Sequence, residues 1–314
     1  MGQYMIRRTV LALPVLLGVS IILFTAVRVI PGDIASARLG DQANPELVQT
    51  LREDLGLNRP LYVQYANWLG GVVRLDFGDS LWTGRPVIDN LGHALPVTLQ
   101  LGLFSIFIAV LIAIPFGVAS AAAQDRWPDY VLRLISITGL AIPNFWLATM
   151  VITFAAVWWN WTPVPGAPSI FDQPDNIIKY GLAASIVGLS SSAIVLRMTR
   201  AMMLEVLHQD YIRTARAKGL KETTVLIRHG LRNALIPVFT LIGNQFGVIL
   251  SGSVVIEQVF GLPGLGRVLV DAITQRDYPQ IEASVLMFAV GFVFVNLAVD
   301  VLYGAIDPRI QYQS

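Results

Sequence analysis

Apolar residues gather into six stretches of about twenty, at roughly 9–30, 97–122, 134–159, 180–202, 235–257 and 282–305. A helix needs about twenty such residues to cross a ~30 Å hydrocarbon core. The pattern therefore predicts an all-α membrane protein of about six transmembrane helices. All six stretches contain Gly, Ser or Pro, which spans tolerate where neighbouring helices satisfy the freed backbone groups. The first run follows Arg7 and Arg8 and continues to Ile30. It is longer than a signal-peptide core and ends without a small-x-small cleavage pattern, so it is read as a retained span.

The polar intervals divide the chain further. Residues 1–30 form the N-terminal transmembrane helix and 31–93 a hydrophilic extracytoplasmic region with short helices. Residues 94–304 hold the remaining spans and 305–314 a cytoplasmic tail. In the first interval Asn44-Pro45 reads as a helix start, Leu47, Leu51 and Leu55 recur every four residues, and Gly56 stops the helix. A second short helix is expected from Pro60 to Leu69, ending at Gly70-Gly71. The segment at about 203–234 is too elaborate for a simple connection. Asp210 is placed to cap a short helix, Tyr211 to Lys218, which Gly219 ends. A second helix is expected from about Glu222 to Pro237. The small residues Thr214, Ala215 and Ala217 beside Gly219 permit close approach of another surface, so 211–218 reads as a docking helix.

Charge adds direction. Only 14% of the 314 residues are charged against 54% hydrophobic, and the net charge of +1 gives no reason to expect a nucleic-acid partner. With six spans both termini share one side. That side would carry Arg7, Arg8, Arg126, Arg133, eight basic residues between 197 and 233, and Arg309, thirteen of the 22 Lys and Arg. The bias places both termini in the cytoplasm. No cysteine is present, and His93, His208 and His229 are too scattered for a metal site. None of the three lysines follows a phosphate-cradling glycine pattern, and no His or Lys sits mid-span to activate Ser251 or Ser253. The chain is not expected to be an enzyme or to hold a cofactor.

Within the spans, Gly243 and Gly247 form a Gly-x-x-x-Gly pair that Ser251 extends, a pattern that reads as close helix packing. Ser191, Asn244, Gln245 and Ser251 are candidates for lining a water-filled path. Asp300 lies near the cytoplasmic end of the last span, where pairing with a basic residue is expected. Pro263, Gly264 and Gly266 belong either to a rigid turn or to a re-entrant gate. A self-contained secondary transporter or channel remains an alternative, but it would need repeated halves or mid-membrane acids, and neither is evident. A scaffold that only recruits partners is a further alternative.

Several motifs, taken in order, resemble the permease subunits of dipeptide/oligopeptide/nickel ABC importers over nearly the whole chain. They are Arg28-Val-Ile-Pro-Gly-Asp33, Leu55-Gly-Leu-Asn-Arg-Pro60, Gly78-Asp-Ser-Leu81 with Gly84-Arg-Pro-Val87, and Leu95-Pro-Val-Thr-Leu99. The most specific are Asp210-Tyr-Ile-Arg-Thr-Ala-Arg-Ala-Lys-Gly-Leu220 with Arg228-His-Gly-Leu-Arg-Asn-Ala234, then Val255-Ile-Glu-Gln-Val-Phe-Gly-Leu-Pro-Gly-Leu-Gly266 and Arg276-Asp-Tyr-Pro279. The resemblance implies a type I importer fold in a prokaryotic inner membrane, with an EAA-like segment coupled to an ATPase. Asp210, Tyr211, Arg213, Thr214, Ala215, Arg216, Ala217, Lys218, Gly219, Leu220, Arg228 and His229 would carry that coupling. It further implies a second homologous permease, one or two kinds of ATPase subunit holding ATP and Mg, and an external substrate-binding protein. The external loops 31–94 and 257–281 would dock the binding protein.

Overall fold

The computed structural model describes residues 2–29, 44–54, 56–163 and 165–306. In chain order its helices are α1 (Gly2–Val29), α2 (Pro45–Asp54), α3 (Leu61–Val73), α4 (Val87–Ala122), α5 (Trp127–Ala141), α6 (Asn144–Trp159), α7 (Pro174–Leu207) and α8 (Asp210–Ala217). They are followed by α9 (Glu222–Phe260), α10 (Leu265–Gln275) and α11 (Tyr278–Ile306). No strand occurs among the described residues.

Among the described residues five helices (α1, α4, α7, α9 and α11) are long and apolar enough to cross a membrane, and the α5–α6 pair makes a sixth if counted as one span. The single span expected at 134–159 is not straight: α5 and α6 meet at 91°. The break falls at Ile142-Pro143, where Ile142 turns to extended geometry (ψ 121) because a residue before proline is pushed out of the α region.

Helices α4, α7 and α9 have 36, 34 and 39 residues, or about 50–60 Å at 1.5 Å per residue. Each overruns the hydrocarbon core by more than ten residues, so each carries a stalk outside the membrane. The stalks of α7 and α9 carry α8 between them.

The core lies in two main parts. One joins α4, α6, α7 and α9 around Leu101, Tyr180, Ile186, Ile256 and Phe260. The other joins α1, α4, α10 and α11 around Leu23, Val27, Leu91, Leu265 and Leu286. Small residues set the spacing. A Cβ on Gly117 would lie 2.6 Å from Thr199, and one on Gly188 would lie 2.8 Å from the Ser105 carbonyl, so α4 and α7 touch backbone to backbone. The Gly243/Gly247 pair does pack as its spacing predicts: Gly243 faces Val299 and Gly247 the Phe292 ring, both on α11.

Other expectations shift. Asn44 starts α2 as read, with its Oδ1 accepting from the Glu46 amide at 3.2 Å. The next helix, α3, runs through Gly70-Gly71 to Val73 instead of stopping there. The interval 257–281, read as loop, holds the eleven-residue α10. Asp300's side chain, residues 31–43 and most of the tail lie outside the described residues.

Candidate functional site: the coupling segment and the Glu257 pin

The end of α7 turns at His208 and Gln209 into α8, an eight-residue helix whose inner side is Ile212 and Ala215. Both are buried, packed with Val225 against Val206 and Leu207. Tyr211, Arg213, Thr214 and Ala217 face outward. Asp210 does not cap α8. The extended residue before the helix is Gln209 (φ −74, ψ 151), so Asp210 is already helical, and its carboxylate pairs with Arg213 at 3.1 Å. Gly219 ends the helix at φ +75 with the Leu220 amide donating back to the Ala215 carbonyl at 3.4 Å, a left-handed terminus that glycine adopts without a Cβ penalty. Nothing lies within 4 Å of a Cβ placed there.

Two polar clasps tie α8 to the start of α9. The Arg216 guanidinium donates to both Glu222 oxygens, at 3.2 and 2.6 Å. That side-chain hydrogen bond raises the Arg216 pKa and holds Glu222 below its ordinary range. At the other end the Asn233 amide donates to the Tyr211 hydroxyl at 2.7 Å, beside the His229 carbonyl. The helix expected from Glu222 is not plain α-helix. Residues Val225–Leu231 form a π-helical stretch, within which a Cβ on Gly230 would lie 3.1 Å from the Met203 Cε of α7. Pro237 lies inside the helix. Lys218, Leu220 and Arg228 are exposed at the rim and His229 is half-buried.

Two buried polar groups escaped the sequence reading. Asp129 at the start of α5 is fully buried and accepts two hydrogen bonds from Arg200 of α7, at 2.7 and 2.6 Å. Ser120 and the Asp125 amide complete its shell. The pair joins α5 to α7 about two turns before the coupling segment. No local spacing could disclose partners 71 residues apart.

The second group is Glu257. Fully buried in α9, it accepts from Thr98 of α4 at 2.7 Å and from Ser253 at 3.0 Å. It also accepts from the amides of Gly266 at 2.8 Å and Arg267 at 3.3 Å. The last two are free N–H groups in the first turn of α10, so Glu257 caps that helix from outside it. Thr98 accepts in turn from the Leu265 amide at 2.9 Å. One carboxyl thus pins α4, α9 and α10 together. The available signal was a lone acid in the apolar run Val254–Phe260.

The turn works only with small residues. A Cβ on Gly264 would lie 2.4 Å from the Glu257 carboxyl, and one on Gly266 2.5 Å from the Val254 backbone. Both glycines are buried and Pro263 is half-buried, so the face this turn offers outward is the end of α10, with Asp271, Ile273 and Thr274 exposed.

The four path candidates are not brought together. Gln245 and Ser191 are buried and Asn244, about 100° round α9 from Gln245, is exposed. Ser251 lines a cleft between α1 and α11 with Val15, Leu16 and Phe288. No cluster of His, Cys, Asp and Glu that could hold a metal ion occurs among the described residues.

Comparison with known proteins agrees with this architecture. Residues 113–312 match the family described as "Binding-protein-dependent transport system inner membrane component". Residues 1–102 match the family of its N-terminal part. The chain is 41% identical, over 313 residues and the whole of both chains, to the glutathione transport system permease protein GsiC of Escherichia coli (strain K12). It is equally similar to that of Shigella boydii serotype 4 (strain Sb227). Among solved structures it resembles an inward-facing methionine ABC transporter, MetNI, with TM-score 0.57 and 16% identity over 69% of this chain and 96% of that one. An amino acid ABC transporter gives TM-score 0.54 and 16% identity, covering 69% and 94%. With five or six apolar helices, the chain is a multi-pass permease of a bacterial inner membrane and belongs to the binding-protein-dependent transport system inner-membrane component family.

Proposed function

We propose that this permease forms one half of the path through an ATP-driven importer of small peptides, with a second homologous permease as the other half. The relatives named for glutathione transport, 41% identical along the full chain, support a short peptide as substrate. ATP and Mg belong to one or two kinds of ATPase subunit on the cytoplasmic side. An external binding protein delivers the substrate, docking on the exposed end of α10 and the neighbouring turn at 78–86, where Ser80 and Leu81 bond Asp277.

The observation that carries the mechanism is the mounting of α8. It presents Tyr211, Arg213, Thr214 and Ala217 outward while Ile212, Ala215 and the Arg216–Glu222 and Tyr211–Asn233 clasps hold it to the stalks of α7 and α9. A push on α8 therefore moves those two stalks together. The stalks are continuous with the spans, so closure of the ATPases tips the bundle between inward and outward openings, a bistable assembly biased from both sides. Asn244, exposed where its neighbour Gln245 is buried, is the path candidate we take as most open to contact.

The test is purification of the tagged chain from its host, with measurement of uptake and ATP hydrolysis in liposomes. Co-purification of a second permease and ATPase subunits, with peptide uptake dependent on ATP and on the binding protein, is expected. Replacing Gly219 with Val forces a β-branched residue to φ +75 and adds bulk where the protein itself leaves open space. It should lower uptake per ATP hydrolysed at least fivefold while the chain still folds. Normal coupling in Gly219→Val would refute the lever. A chain that purifies alone and moves solute without ATP would be a secondary transporter.

A further inference from the structure

The helix α3, in the middle of the first extracytoplasmic region, has the composition of a membrane element. Its thirteen residues, Leu61–Val73, contain no charged side chain, and Arg59 and Arg74 flank it on either side. None of its residues is buried. Leu61, Tyr62 and Val73 are 57%, 75% and 78% exposed, and Leu75 just beyond is 69% exposed. A helix that belonged to a water-facing cap would be expected to turn such residues inward.

Its one packed side fixes its depth. The Tyr65 hydroxyl lies 2.8 Å from that of Ser20, and the Tyr65 and Trp68 rings sit 5.2 and 5.7 Å from the Phe24 ring. Gln64 accepts from Arg28 at 3.2 Å. Ser20 and Arg28 are eight residues apart on α1, about 12 Å of helix, and α1 ends at Val29. The contacts of α3 thus lie along the last two turns of the span, below its exit and not above it. Leu61 and Tyr62 adjoin Ile21 and Thr25 in one cleft, so the exposed face of α3 continues the exposed face of α1, where Ile21 and Ile22 are 46% and 70% exposed.

We infer that α3 lies in the headgroup and upper acyl region of the outer leaflet, with lipid as the partner of its exposed face. Tyr62, Tyr65 and Trp68 belong to the aromatic belt at that level, and Arg59 and Arg74 reach lipid phosphates at its two ends. Lipid is favoured over a protein partner because the face is continuous with a span that faces hydrocarbon and because the charges sit only at its ends. The helix then acts as an outrigger that holds the outer half of α1 at a set depth, and it is not part of the surface that receives the binding protein. This assignment does not depend on the transported substrate or on the coupling mechanism.

The chain contains no cysteine, so single-cysteine variants at Tyr62, Ala66 and Val73 can be labelled with the fluorophore NBD. They would be measured in the full chain with its co-purifying subunits in nanodiscs, with Ile22 as lipid reference and Asp172, exposed in the α6–α7 connection, as water reference. The expected result is quenching by doxyl-labelled phosphatidylcholine within about twofold of the Ile22 probe, and iodide quenching at least fivefold below the Asp172 probe. Iodide quenching equal to that at Asp172 would make α3 a water-exposed cap and overturn the inference. Protection from both quenchers would show that a protein covers it, and would overturn the inference equally.

Discussion

Gly264 and Glu257 make a paired test of the pin. Gly264 has φ −91 and ψ 177, a conformation open to any residue, so backbone strain does not explain its smallness. Contact does: an alanine Cβ would sit 2.4 Å from the Glu257 carboxyl carbon and from Oε2. Ordinary contact begins about 1 Å further out, and a shift of that size takes Oε2 beyond hydrogen-bonding range of the Gly266 and Arg267 amides. Each buried donor left without a partner costs about 1–3 kcal/mol, so Gly264→Ala, which frees two, should destabilise by about 2–6 kcal/mol. Glu257→Ala removes the shared acceptor altogether and should cost at least as much. It also empties the space that the new methyl needs. In the Glu257→Ala background the Gly264→Ala change should therefore add less than about 1 kcal/mol, a coupling expected only of groups in direct contact. The measurement is the temperature at which half of the detergent-solubilised chain leaves the monodisperse size-exclusion peak, for both single variants and the double. If Gly264→Ala lowers that temperature as much without Glu257 as with it, the clash is elsewhere and the pin is not what the glycine serves.

Further expectations concern the stalks. Asp129→Asn leaves Arg200 without its counter-charge; removing one partner of a buried pair costs about 3–5 kcal/mol, with the 19% exposure of Arg200 pulling toward the lower end. The variant should lose heat stability in the same assay, and Arg200→Lys should not restore the two-point contact; undiminished stability in both would remove the pair from any structural role. Ile212→Ala deletes the main anchor of α8, at about 2–5 kcal/mol for a buried Ile truncation. It should reduce co-purification of ATPase subunits with the chain while leaving the membrane-spanning bundle as heat-resistant as before. Glu222→Gln breaks the charged fork on Arg216 and should lower uptake per ATP more than it lowers ATPase binding, as read by parallel hydrolysis and uptake assays.

Much of this protein follows from local pattern. Apolar runs of about twenty residues can be satisfied in hydrocarbon only as helices, so five spans and the existence of a sixth were legible directly. So were a short helix, read at 211–218 and found at 210–217 with Asp210 inside it instead of capping it, its stop at Gly219, and the packing of Gly243 and Gly247, because each depends on residues within two or three turns. The family resemblance rests on motifs of the same short range. Only the tertiary structure decided which side chains meet across the bundle. Asp129 finds Arg200, Glu257 finds Thr98, and Tyr65 finds Ser20, over separations of 45 to 159 residues. The bend at Ile142-Pro143 and the depth of α3 are of the same kind. A proline permits a break, and an uncharged helix permits immersion, but neither dictates it. The choice is made where distant backbones pack closely enough that one buried carboxyl or one tyrosine hydroxyl must find its partner on another helix.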